Sequence, residues 1–332
     1  MRPRPRAALC WVGDRLKDMR LSIFALVMVC LSACVPVATE PLPPETVLEG
    51  PGVAETEAVP FGEYQTYYER RGWPGRQPVL MIHGIGGGSS LFQYRKNTAA
   101  IALQGYDVYA LDLLGFGRSS RPALRYTQEL HVAQIEAFLA EVIRRPTVIV
   151  ANGLSAAYSV RLAAERPDLV AGLVLVAPTG YESLAREQTE ARIRAFERIS
   201  GVPGETLYQV LLADNIQDIF LLDAYAGEGS LTPEVKAEFD QQLRVENAKW
   251  VILSFITGNL DQDVSNLWPG LEQPAVILWG EDATQTPISE AEPFLAARPE
   301  VDLIVFEGVK LLPNEDTPER FNKAVLSFLA GL

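Results

Sequence analysis

Pro78-Val79-Leu80-Met81-Ile82-His83-Gly84-Ile85-Gly86-Gly87-Gly88 is the stretch on which the reading of this 332-residue chain turns. Five apolar residues without a polar interruption predict a strand buried on both faces, as in a parallel sheet covered by helices. The glycines that follow leave a backbone free to turn sharply and to approach another group closely. Outward from here the pattern repeats. Residues 61–70 read as an edge strand, and Asp107–Leu111, 147–150, Val170–Val176, 275–279 and Asp302–Phe306 as short buried strands. Helical spacing falls between them, over 91–103, 126–143 and 154–166, and a closing amphipathic helix over 318–329 has Pro318 in its first turn. Strands alternating with helices predict an α/β fold whose sheet is mostly parallel, with crossover helices on both faces.

Residues 181–268 break the alternation. Helical segments there carry Phe196, Tyr208, Phe220, Tyr225, Phe239, Trp250 and Phe255. An insertion at this point predicts a helical cap over the carboxyl ends of the strands, where open α/β sheets bind ligands. The aromatics either pack the cap or line a pocket beneath it. The core is then 61–180 with 269–332.

The formal charge of −13 argues against nucleic acid, which asks for a basic face. Cys10, Cys30 and Cys34 are the chain's cysteines. After Cys34, disulfides and cysteine-held metals are excluded, and the two separated histidines, His83 and His131, point to no zinc or iron site. No cofactor is expected. Arg15, Lys17 and Arg20 precede an apolar run of 11 residues, 21–31. The run is too short for a bilayer core of about 30 Å but suits a signal sequence. Leu31-Ser32-Ala33-Cys34 resembles the bacterial lipobox. Residues 1–33 are thus expected to be a lipoprotein signal peptide, with Cys34 lipidated and the protein held extracytoplasmically on an envelope membrane. The alternative is an uncleaved signal anchor, and Met19 competes with Met1 as the start. Residues 34–60 contain six prolines and read as a tether.

Five motifs in order carry a family resemblance that runs from about residue 61 to 332. His83-Gly84-Ile85-Gly86-Gly87 resembles the oxyanion loop of α/β-hydrolases. Asp112-Leu113-Leu114-Gly115-Phe116-Gly117-Arg118-Ser119 resembles their D-x-x-G-x-G-x-S segment. Leu173–Pro178 with Pro167-Asp168, Trp279-Gly280-Glu281-Asp282, and Leu312-Pro313-Asn314-Glu315 resemble the later segments. The resemblance implies an α/β-hydrolase fold with a cap. It also implies an oxyanion-type pocket at Gly84, Ile85, Gly86 and Leu154, and Asp112 as a loop-holding carboxylate with Arg118 as a possible mate.

The chemistry departs from the family. Fourteen residues before Pro167, where the nucleophile of G-x-S-x-G belongs, stands Gly153. The acid position is Ala283 and the histidine position Leu311, separated by the 28 residues expected of acid and base. A competing register, Gly153-Leu154-Ser155-Ala156-Ala157, offers Ser155 as nucleophile. Against it stands a structural role for Ser155 in the first helical turn. His83 and His131 read as structural, and Glu281 or Asp282 as carboxylates with no imidazole to orient.

These residues point to a membrane-anchored pseudoenzyme that binds a small apolar or amphipathic ligand, or a partner, under its cap. The alternatives are an active carboxylesterase-like hydrolase using Ser155 with a non-standard base, and an envelope protein-interaction module.

Overall fold

A computed structural model describes residues 53–227 and 229–332. The signal sequence, Cys34 and most of the tether lie outside these residues. The strands are β1 (Val53–Phe61), β2 (Tyr64–Gly72), β3 (Pro78–Ile82), β4 (Asp107–Leu111), β5 (Thr147–Asn152), β6 (Val170–Val176), β7 (Ala275–Gly280) and β8 (Asp302–Phe306). They form one sheet in the order β1-β2-β4-β3-β5-β6-β7-β8. β1, β2 and β4 pair antiparallel, and every pair from β4 to β8 is parallel.

The period-2 alternation of the strands builds two cores. Leu80, Ile82, Ile149, Ala151, Leu173, Leu175, Ile277 and Trp279 face one side. Val79, Met81, Val148, Val150, Val174, Val176, Val276 and Leu278 face the other. On the first side pack α2 (Gln128–Ala137), α3 (Leu154–Glu165) and α9 (Ala291–Ala297). On the second pack α1 (Thr98–Ala102) and α10 (Pro318–Ala330). With both faces covered, the strands can be apolar throughout.

Two expectations need correction. The strand predicted over 61–70 is β2, which lies inside the sheet. One edge is β1, made largely of residues assigned to the tether, and the other is β8. A Pro- and Glu-containing segment is poor strand material, but an edge strand tolerates Pro60 because half its amides need no partner. The helix predicted over 91–103 is broken: a 3₁₀ turn at Leu91–Tyr94, capped by Ser90, precedes α1.

Between β6 and β7 stand α4 (Glu190–Ile199), α5 (Val202–Leu211), α6 (Asp214–Ala224), α7 (Pro233–Arg244) and α8 (Lys249–Ile256). Thr232 caps α7 by accepting from the Val235 N–H, with Pro233 in the first turn. Phe196, Tyr208 and Tyr225 are buried, whereas Phe220 is exposed. Among the described residues no helix is long and apolar enough to cross a membrane.

Candidate functional site

β5 ends at Asn152 and α3 begins at Leu154, so Gly153 alone makes the turn. Its φ of +56° and ψ of −118° belong to a region that favours glycine. Its N–H donates to the Val176 carbonyl at 2.8 Å, which holds the turn against β6. A β-carbon placed on Gly153 would meet no atom within 4 Å. Because Leu154 opens α3, its N–H has no intrahelical acceptor and stands at the helix's positive end.

Ser155 is not at this turn. Its hydroxyl is fully buried and donates to the His83 carbonyl at 2.6 Å. The register that made it the elbow residue is therefore not the one the chain adopts. Ala151 and Ser155, both completely buried, flank the turn as small residues where β5, α3 and the glycine loop crowd together.

The glycine loop does two things the sequence did not reveal. The Gly84 N–H donates to Gln93 Oε1 at 3.1 Å. Gly84 was expected to help form an oxyanion site, but its donor is already occupied. The loop also lies beneath the cap. A β-carbon on Gly87 would sit 3.1 Å from Leu243 Cδ2, and one on Gly88 (φ +77°) would run into the Phe239 ring. Glycine is needed here to let α7 close down. The cap is latched by Arg121, whose Nη1 donates to the Gln242 carbonyl at 2.9 Å while Nη2 donates to Gly117 O at 2.9 Å. Ser90 Oγ donates to Glu238 at 3.3 Å. The gap left between Gly87, Phe116, Arg121, Leu243, Val251 and Ile252 has a volume of about 10 Å³, room for one water.

Ala283 follows β7 and Leu311 follows β8, on touching loops: the Asp282 N–H donates to Val309 O at 2.9 Å. Ala283 is buried. The Leu311 N–H donates to the Ala224 carbonyl of the cap at 3.1 Å. Its side chain packs against a cluster of Leu221, Tyr225, Leu231, Val235 and Leu312. Gly153, Ala283 and Leu311 thus stand at the carboxyl ends of β5, β7 and β8. A buried polar chain links this region. The Tyr94 hydroxyl donates to Asn152 Oδ1 at 2.9 Å, Asn152 Nδ2 to Asn314 Oδ1 at 3.3 Å, and Asn314 Nδ2 to Gln93 O at 2.8 Å. Asn152 and Asn314 adjoin motifs visible in the sequence. Gln93 had no signal.

Neither imidazole hydrogen-bonds the Ser155 hydroxyl. His83 Nε2 accepts from the Leu113 N–H at 3.1 Å, so its proton is on Nδ1, which donates to Gly84 O at 2.8 Å. His131 Nε2 donates to Leu114 O at 3.1 Å, within a nest of Phe116, Tyr126 and Tyr158 rings. Burial pulls both down to about 4. Asp112 accepts from the Leu91 N–H at 2.7 Å and the Arg118 N–H at 2.8 Å, tying the loop. Burial lifts it to about 6. Among the described residues no three His, Cys, Asp or Glu side chains could share a metal ion.

The neutral His131 has a consequence in acid. Its folded value lies near 4 against 6.5 unfolded, so between those pH values the unfolded chain binds the extra proton. Stability therefore falls as pH drops, by about 2 kcal/mol at pH 5. His131→Phe should gain about that much relative to the wild-type chain between pH 7.5 and pH 5. Urea unfolding of both proteins at each pH checks this, and comparing the two cancels the opposing titration of Asp112. A pH-independent difference would refute it.

The profile of the alpha/beta hydrolase family matches residues 79–324. The chain belongs to this family. The 2-hydroxy-6-oxononadienedioate/2-hydroxy-6-oxononatrienedioate hydrolase of Pseudomonas sp is 24% identical over 259 residues, covering 77% of this chain and 89% of that protein. Lipase 3 of Moraxella sp. (strain TA144) is 26% identical over 264 residues, covering 76% of each. Among solved structures, a serine hydrolase involved in carbazole degradation superposes with a TM-score of 0.69 at 20% identity, covering 84% of this chain and all of the other. A membrane phospholipase A superposes with a TM-score of 0.68 at 18% identity, covering 96% and 91%. These structural matches speak for the α/β-hydrolase fold with its eight-stranded, mostly parallel sheet.

Proposed function

We propose that this α/β-hydrolase-family protein is a pseudoenzyme that binds a small apolar or amphipathic ligand beneath its cap. In this reading an acyl group on Cys34 holds it at an envelope membrane. Gly153 carries the proposal: the residue at the turn has no side chain to attack with, and the space where one would stand is open. At the acid and base positions stand a methyl and an isobutyl group, the latter packed against the cap. An acyl-transfer reaction needs a nucleophile within hydrogen-bond reach of a base. In this reading the ligand enters the open space at Gly153, with a carbonyl or carboxylate turned to the Leu154 N–H at the start of α3.

The test uses a fluorescent fatty acid, 11-dansylaminoundecanoate, and a fluorophosphonate probe. Saturable 1:1 binding of the fatty acid is expected, weakened at least about tenfold by Gly153→Phe, which fills the open space with a bulky side chain. No serine is expected to be labelled. Labelling of Ser155, or p-nitrophenyl ester turnover that vanishes in Ser155→Ala, would instead make the protein an active hydrolase like its named relatives.

A further inference from the structure

β1 pairs with β2 so that Val53 lies opposite Gly72. The N-terminal segment therefore joins the domain at the end of the sheet where Trp73 begins the next loop. Trp73 is 62% exposed and its N–H donates to Tyr106 O at 3.4 Å. Leu103, just before that residue's loop, is 56% exposed. The same end is basic, in a chain whose formal charge is −13. Arg145 Nη1 donates to Arg76 O at 2.6 Å, and Gln77 Nε2 donates to Pro146 O at 3.2 Å, which brings the loops before β3 and β5 together. Arg76 and Arg144 are exposed. Asp107, fully buried, is engaged by Arg70 and Arg145; Glu141 accepts from Arg144 through its carbonyl, and Glu55 stands opposite Arg70 in β1. An exposed indole and an exposed leucine on neighbouring segments, at an end that also carries guanidinium groups, match a bilayer interface with phosphate headgroups.

We infer that this end of the domain docks on an anionic lipid surface, with Trp73 and Leu103 entering the interface and Arg76, Arg144 and Arg145 meeting lipid phosphates. The inference rests on the reading that the N-terminal segment holds the chain at a membrane, and adds which face the domain presents and to which lipids. Cys34 precedes Val53 by 19 residues, a reach of at most about 65 Å even when fully extended. A second exposed apolar group, Ile219, Phe220 and Leu222, lies on the cap helix α6. Asp214, Asp218 and Asp223 on the same helix are balanced by Arg244, Lys236 and Lys310, so this group offers an anionic surface no excess of positive charge. With the Trp73 end on the membrane, the cap and the carboxyl ends of the strands face away from it.

The full chain, reconstituted into phosphatidylcholine vesicles with and without phosphatidylglycerol, tests this when the phosphatidylcholine carries brominated acyl chains that quench tryptophan. The Trp73 contribution is the emission of the wild-type chain minus that of Trp73→Phe. It should lose most of its intensity in vesicles containing phosphatidylglycerol and less in phosphatidylcholine alone. Arg76→Gln and Arg144→Gln should each lower the ratio of docked to undocked protein roughly fivefold. An unquenched Trp73 contribution in a chain that floats with the vesicles overturns the docking face and leaves the anchor standing. A chain that neither floats nor carries an acyl group overturns both. Phe220→Trp in the Trp73→Phe background reports the cap, and quenching there instead also overturns the proposal.

Discussion

Serine, aspartate and histidine placed together at positions 153, 283 and 311 are expected to raise p-nitrophenyl acetate turnover at least about 100-fold over the wild-type chain. Each single substitution should change it less than about threefold, because nucleophile, base and orienting acid work as a unit. The geometry favours the attempt. A side chain on Gly153 meets open space, and the loops carrying 283 and 311 are hydrogen-bonded to each other at the ends of β7 and β8. The costs are calculable. Serine at φ +56° carries strain of about 1–3 kcal/mol, and histidine at 311 gives up apolar contact with Leu312 and the cap. Circular dichroism and urea unfolding of the triple variant establish that it is folded before turnover is read. A folded triple variant with no gain would mean that these three positions do not converge on one substrate, and the proposal of an emptied catalytic site would fail with it.

Gly280→Ala is expected to destabilise the protein by about 3 kcal/mol or more, whereas Gly84→Ala should cost less than about 1 kcal/mol. The two glycines belong to the two loops that frame the site, and neither has a positive φ, so backbone freedom does not separate them. What separates them is space. A β-carbon on Gly280 would overlap the main-chain oxygens of Val309 and Lys310. Those atoms belong to the turn after β8 and cannot rotate away as a side chain can. A β-carbon on Gly84 would rest at an ordinary 3.7 Å from Asn152 Cβ. Urea midpoints at unchanged slope measure both. Equal costs for the two would show that the β7 and β8 turns are not held in the close contact described.

Much of this was open to reading in one dimension. Pro78–Ile82, Asp107–Leu111, Val170–Val176 and Asp302–Phe306 have the bounds their composition predicts. A strand buried on both faces is mostly apolar, as β3 and β6 are. By contrast β8 lies at a sheet edge with Asp302 exposed and Leu303, Ile304 and Val305 half-buried, short of the burial expected of it. The edge was harder. β1 needs partners on one side alone, so Glu57 and Pro60 are tolerated there and the strand resembles a linker. Gly153 could be placed at the turn after β5 by counting, because a strand, a tight turn and a helix of ordinary length leave little slack between Gly153 and Pro167. Ser155 offered a second register that counting alone did not close. What closed it was the 2.6 Å bond to the His83 carbonyl, a contact spanning 72 residues.

The order and type of the elements from β2 onward, save the break within 91–103, and the insertion after β6 follow from the chain alone, because periodicity and spacing are local properties. The fate of the Gly84 N–H, the Arg121 latch to Gln242 and the packing of Phe239 over Gly88 do not. Those depend on side chains far apart in sequence meeting across a folded surface, and a hydrogen bond or a collision exists only once both partners have a position in space.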